Sequence, residues 1–216
     1  MDQEYFDTLA QAVIDGEADV AVKLVNEGLG KGVDPIEAIE KGLAKGIMKV
    51  GDDFGTGEVF LPELIMAADV MKQATAILDE KIKSSGATRA SLGQVVIGTV
   101  KGDIHDIGKS VVASVLQANG YNVEDIGIDV AINGFIDSVK KNNADVLGMS
   151  TLLTLPLQVM GEVIASMKEA GLKDKVKVIV GGCPVTQEFA DEIEADAVGF
   201  DAADAVKKVG KLLGHS

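Results

Sequence analysis

The chain has no tryptophan, one cysteine, two histidines and four prolines among its 216 residues. The lone Cys183 excludes an intramolecular disulfide and suits a reducing compartment. Aromatic residues amount to 4%, too few to expect stacking platforms for bases. Positive charge is short as well: 20 Lys and Arg face 34 Asp and Glu, a formal net charge of −14. A surface of that sign is repelled by phosphate backbones and anionic lipids, so neither nucleic acid nor membrane is an expected partner. No apolar run reaches bilayer length. The opening MDQEYFDTLAQ is acidic and lacks an apolar signal core, which argues against export and for a cytoplasmic location.

What is present is a large apolar fraction, 47%, enough for one large core or two small ones. Phe6, Leu9, Ala10, Val13 and Ile14 recur at helical spacing, Gly16 ends that helix, and Ala21, Leu24 and Val25 stripe the next. In VDPIEAIEKGLAKGIMKVG, Asp34 is placed to cap, Pro35 suits the first helical position, and Glu37 stands where a capping-box carboxylate would. Ile36, Ile39, Leu43, Ile47 and Val50 carry this third stripe, and after DDFGTGEVF a fourth runs from Leu64 to Ile82. Four amphipathic segments with short connections predict an antiparallel four-helix bundle over residues 1–82. The small, polar, non-periodic stretch that follows reads as a linker over 83–93. From residue 94 to 216 strand and helix alternate. QVVIGTV, YNVEDIG, DVLGMS, KVKVIVGG and DAVGF predict a five-stranded parallel, flavodoxin-like sheet with right-handed crossovers, an α/β domain.

Such sheets bind ligands at the carboxyl ends of their strands, near the topological switch point. Directly after the first strand comes KGDIHDIGK, which places Asp103 two residues before His105 between Gly102 and Gly108. A carboxylate bonded to one imidazole nitrogen leaves the other as a lone-pair donor and strengthens it. The alternative is that Asp103 caps the helix starting near Ile107 while His105 is simply solvated. At the third strand's end, Ser150 and Thr154 offer hydroxyls to a ligand or caps to the next helix. At the fourth, Gly181 and Gly182 either leave room for a flat group or make an ordinary turn. His215 and Cys183 do not complete a four-ligand cage with His105. One imidazole suffices for a metal that brings its other ligands, as in a corrinoid or a non-covalent haem.

Asp103, His105 and Gly108 as Asp-x-His-x-x-Gly, Ser150 and Leu152 as Ser-x-Leu, and the pair Gly181–Gly182 together resemble the cobalamin-binding corrinoid proteins of methyltransferase systems. The same motifs mark the cobalamin module of methionine synthase, and GEVFLPELIMAADVMKQA resembles the family's helical cap. The resemblance covers about residues 3–213. It implies cobalamin as cofactor, passing through methylcobalamin in turnover, with His105 as the cobalt's lower axial ligand and Asp103 tuning it. Gly108, Ser150, Leu152, Thr154, Gly181 and Gly182 would border the nucleotide slot. Phe60 and Leu64 would cap the reactive face, unless they belong to the bundle core. The implied role is a methyl carrier, a subunit that is not itself a catalyst. A substrate-specific methyltransferase loads it, and a second unloads it to a pterin or thiol, with a reductive activation protein as a further partner. The alternative from the same family is a cobalamin-binding sensor. One departure stands out: methionine synthase has a serine two places after the position of Thr154, and Pro156 occupies it here. No hydroxyl relay to Asp103 is therefore expected.

Overall fold

Apolar residues spaced three and four apart build an amino-terminal helical unit. Its elements are α1 (Gln3–Ile14), α2 (Ala18–Gly30), α3 (Pro35–Glu37) running through a π-helical segment (Ala38–Leu43) into α4 (Ala44–Thr56), and α5 (Leu61–Ser84). The computed structural model describes residues 3–84 and 91–215. Leu9 and Val13 of α1, Val25 of α2, Ile39, Leu43 and Ile47 of the third rod, and Leu64, Met71 and Leu78 of α5 are buried. Gly16 ends α1 with a positive φ of 72°. Asp34 caps α3 by accepting from Ile36 N and Glu37 N.

The third rod differs from expectation in two ways. Glu37 pairs with Lys41 at 2.6 Å, so only half of the capping box is made. The rod also continues to Thr56, where Gly57 closes it in the left-handed region, and it widens into a π turn over Ala38–Leu43. That turn packs on α1 at very short range. A Cβ at Gly42 would stand 2.8 Å from Leu9, and one at Gly46 2.5 Å from the Ala10 carbonyl oxygen.

The second unit alternates β1 (Gln94–Thr99), α6 (Ile107–Ala118), β2 (Asn122–Asp125), α7 (Ile132–Asn142), β3 (Val146–Ser150), α8 (Leu157–Glu169), β4 (Lys177–Gly181), α9 (Gln187–Glu192), β5 (Ala197–Gly199) and α10 (Ala202–Leu212). All strand pairs are parallel, in the order β2-β1-β3-β4-β5. Period-two alternation divides the strand side chains between two cores. Val96, Leu147, Met149, Val178 and Val180 pack with α7 and α8 on one face. Val95, Val146 and Ile179 pack with Leu116, Ala205 and Val209 on the other. Both faces are therefore covered, as a parallel sheet requires. The order reverses between β1 and β3, and the loops leaving their carboxyl ends diverge there.

Of the expected linker, residues 85–90 lie outside the described residues, and residues 83 and 84 still belong to α5. Among the described residues no helix is long and apolar enough to cross a membrane.

Candidate functional site

The loop of residues 100–106 leaves β1 at the switch point and is held by its backbone. Val100 N donates to Ser150 O at 3.1 Å, Asp103 N to Val100 O at 3.2 Å, and Gly102 turns with φ +90°. Asp129 clamps the loop from the neighbouring connection after β2. Its N donates to Asp103 O at 2.9 Å and its carboxylate accepts from Gly102 N at 2.8 Å. It does so at φ 52°, a left-handed conformation that a non-glycine residue adopts at a cost. Thr99 Oγ1 donates to His105 O at 2.9 Å and fixes the far end.

Asp103 is 1% exposed, and its carboxylate is fully occupied. Oδ1 accepts from His105 N at 3.0 Å and pairs with His105 Nδ1 at 2.5 Å. Oδ2 accepts from Thr151 Oγ1 at 2.7 Å and Leu152 N at 2.6 Å. Burial alone would raise this carboxyl's pKa. The bonds from His105 N, Thr151 Oγ1, His105 Nδ1 and Leu152 N outweigh it and hold the group well below the usual carboxylate range. Asp103 therefore does not cap α6; it organises the loop. A carboxylate only accepts, so Nδ1 carries the ring proton and Nε2 presents its lone pair. The His105 side chain is 49% exposed, and Nε2 has no hydrogen-bond partner among the described residues.

The surroundings suit a broad, apolar-faced group that carries its own metal. Ile104, Leu152, Leu153 and Leu155 on the loops after β1 and β3, and Ile107 at the start of α6, are all exposed. Such an apolar cluster on a sheet's ligand-binding edge marks a binding surface. A Cβ on Gly108 would meet nothing within 4 Å, so the space at this position, three residues after His105, is open. Among the described residues there is no group of three or more His, Cys, Asp or Glu side chains placed to hold a metal ion. His105 is thus a single donor beside an apolar floor, which fits a corrinoid.

The other expected site residues fall into place unequally. Leu152 is exposed and contributes its backbone N–H to Asp103. Ser150 is half-buried at the end of β3, and Thr154 is exposed in the following loop. Neither hydroxyl caps α8, whose N-cap is Pro156 without a side-chain bond. Gly181 and Gly182 are required by backbone packing. A Cβ on Gly181 would lie 2.9 Å from Gly199 O, and one on Gly182, at φ +122°, only 1.8 Å from Thr151 O. Leu64 is 0% exposed and belongs to the helical core, one of the two places open to it from the sequence; Phe60 is 67% exposed.

The expected lack of a hydroxyl on Asp103 is also corrected. Pro156 indeed offers none, but Thr151 reaches the same carboxylate from the first position after β3. Asp129 and Thr99 were likewise missed, as was the buried Lys109 ammonium paired with Asp125. The legible signal for Thr151 was a second hydroxyl directly behind Ser150 in a strand otherwise apolar. Nothing in the sequence marks Asp129, because its role depends on which loop lies beside β1.

A fold of this order with a carboxylate-tied histidine at its switch point defines a cofactor-binding flavodoxin-like protein, and comparison with known proteins makes the class specific. A B12 binding domain family matches residues 93–209, and a second B12 binding domain family matches residues 5–79. The chain is 46% identical over 211 residues to the dimethylamine corrinoid protein of Methanosarcina barkeri, covering 98% of each. It is 43% identical to the trimethylamine corrinoid protein of the same organism, covering 94% of each. Among solved structures, the methanol:cobalamin methyltransferase complex of Methanosarcina barkeri matches with a TM-score of 0.88 at 33% identity, over 99% of this chain and 81% of that one. A cobalamin-binding protein of Desulfitobacterium hafniense matches with a TM-score of 0.79 at 33% identity, over 96% and 98%. The chain belongs to the B12-binding corrinoid proteins of methyltransferase systems, and a corrinoid is its cofactor.

Proposed function

We propose that the protein is a methyl carrier: a substrate-specific methyltransferase loads it, and a second methyltransferase unloads it to a pterin or thiol acceptor. The observation that supports this most directly is His105, with Nδ1 tied to a buried carboxylate and Nε2 open beside an apolar floor. When bound, the corrinoid supplies a cobalt centre able to accept and release a methyl group. His105 is the residue that would hold its metal, and Asp103 would set the strength of that donor. Ile104, Leu152, Leu153 and Leu155 of the two loops would shield the bound group from water, and the open space at Gly108 would leave room for it. Ser150 and Thr154 would offer hydroxyls to the nucleotide tail, and Gly181 and Gly182 would border it.

In this reading the protein is a cytoplasmic subunit of an enzyme system rather than a complete catalyst. Residues 1–82 would serve as the cap, 83–93 as the linker, whose first two residues continue α5, and 94–216 as the cofactor domain. A reductive activation protein is a further partner. The named relatives handle dimethylamine, trimethylamine and methanol systems, so methylated amines and methanol are the donors to try first. Reconstituted protein is incubated with each donor and its methyltransferase, and the cobalt's absorption spectrum is followed. Loading with at least one donor, abolished in His105→Ala, is expected. Cobalamin binding without loading by any pair would favour a sensor instead.

A further inference from the structure

Thr151 occupies a position that a loop hydroxyl would not. It follows β3 directly, its backbone N donates to Gly181 O at 3.2 Å, and it is 1% exposed. Its backbone is therefore part of the sheet. Its hydroxyl has one proton and two acceptors in reach, Asp103 Oδ2 at 2.7 Å and Leu153 O at 3.2 Å. The ionised carboxylate is the nearer and stronger acceptor, so the proton points to Asp103. Leu153 N donates to Thr151 Oγ1 at 3.2 Å and holds the hydroxyl from the other side. β-Branching stiffens the side chain about χ1. Gly182 presses on the Thr151 carbonyl so closely that no side chain fits there. From Gly182 through Thr151 to Asp103 and His105, each group is held by the one before it.

We infer that Thr151 is a positioning residue for the cofactor ligand: its sheet-anchored hydroxyl locks the Asp103 carboxylate in the rotamer that holds the His105 ring and its Nδ1 tautomer. The consequence for the cofactor rests on His105 being the axial ligand, as proposed above; the consequence for the ring does not. Without the hydroxyl, Oδ2 keeps only Leu152 N, and the carboxylate can swing about χ2. The imidazole then samples other tilts and loses its fixed tautomer. This positioning differs from a proton path, because Thr151 is closed off from solvent and its second contact is to Leu153 backbone.

The test uses the full chain with 15N-labelled histidine. In the apo-protein, wild type and Thr151→Ser are expected to show a single His105 Nδ1–H tautomer with a strongly deshielded proton. Thr151→Val is expected to lose that signal or average it with the other tautomer. After reconstitution with aquocobalamin, Thr151→Val is expected to bind roughly threefold to tenfold more weakly, less than a direct partner of the ligand would cost, and Thr151→Ser within about twofold of wild type. A Thr151→Val protein with an unchanged Nδ1 signal overturns the inference. If Thr151→Val does not fold, Thr151→Ser decides alone: a wild-type signal supports the hydroxyl, and a signal like that of Asp103→Asn overturns it. Because the tautomer is read without cofactor, failure of the carrier reading would leave this result standing, and the reverse also holds.

Discussion

The two units solve burial in opposite ways. Among the described residues the helical unit buries a single unpartnered hydroxyl, Thr75 Oγ1 of α5, whereas the four buried polar or charged residues, Thr99, Asp103, Lys109 and Thr151, all lie in the α/β unit. Three of these bond directly to the His105–Asp103 pair or are part of it, and the fourth follows Gly108 and is paired with Asp125. Burying such groups is costly unless every one is bonded, and each of these four has a partner. The helical core is stabilised mainly by apolar area, while the sheet unit tolerates concentrated polarity at one edge. Polarity of that kind marks where geometry rather than stability is being specified.

That contrast can be broken by single substitutions. The largest effect is expected for Asp103→Leu, which leaves Leu152 N and His105 N without their acceptor and Thr151 Oγ1 with only Leu153 O. Apo-protein stability in urea should fall by roughly 3–5 kcal/mol. A loss under about 1 kcal/mol would show that the pair is no more demanding than a surface contact. Next comes Leu64→Ala in the helical core, expected to cost about 2–4 kcal/mol without altering the tautomer of His105. A change at His105 in that variant would mean that the units are coupled. Gly182→Ala should cost at least about 2 kcal/mol, from its positive φ and the clash with Thr151 O. Gly57→Ala, also at positive φ but with open space around it, should cost only about 1 kcal/mol; equal losses would remove the clash from the account.

Asp129→Ala is expected to cost about 1–2 kcal/mol by freeing Gly102 N, while Asp129→Asn should be nearly neutral. Similar losses in both variants would place the strain, not the clamp, in control. The smallest stability effect belongs to His105→Ala, about 1 kcal/mol, because the ring is half exposed and Asp103 Oδ1 keeps the bond from the backbone N of residue 105. Its effect on function is the reverse: cofactor retention and the spectrum of the oxidised form should both change. An unchanged spectrum would remove His105 from the coordination sphere.

Much of this was legible beforehand for identifiable reasons. The helical stripes through Leu9, Ile39 and Leu78 and the β-branched runs at Val95–Ile97 and Val178–Val180 are periodicities, and periodicity is a local property. All five strands and the helices between them accordingly lie where those runs predicted. The π turn was not legible, because it answers to how closely α1 approaches Gly42 and Gly46. Of the site, Asp103 and His105 could be paired from the sequence because two residues separate them. Thr151, 48 residues from Asp103, could not.

The order of side chains along the chain by itself determined the two kinds of architecture, the strand order's raw material and the histidine–aspartate pair, since each depends on neighbours within a few residues. Which hydroxyl restrains Asp103, which carboxylate clamps Gly102, and whether Leu64 faces core or cofactor were decided only by tertiary structure. Those outcomes depend on how loops from separate strands converge at the switch point and on which helix faces pack together, and local spacing carries no record of either.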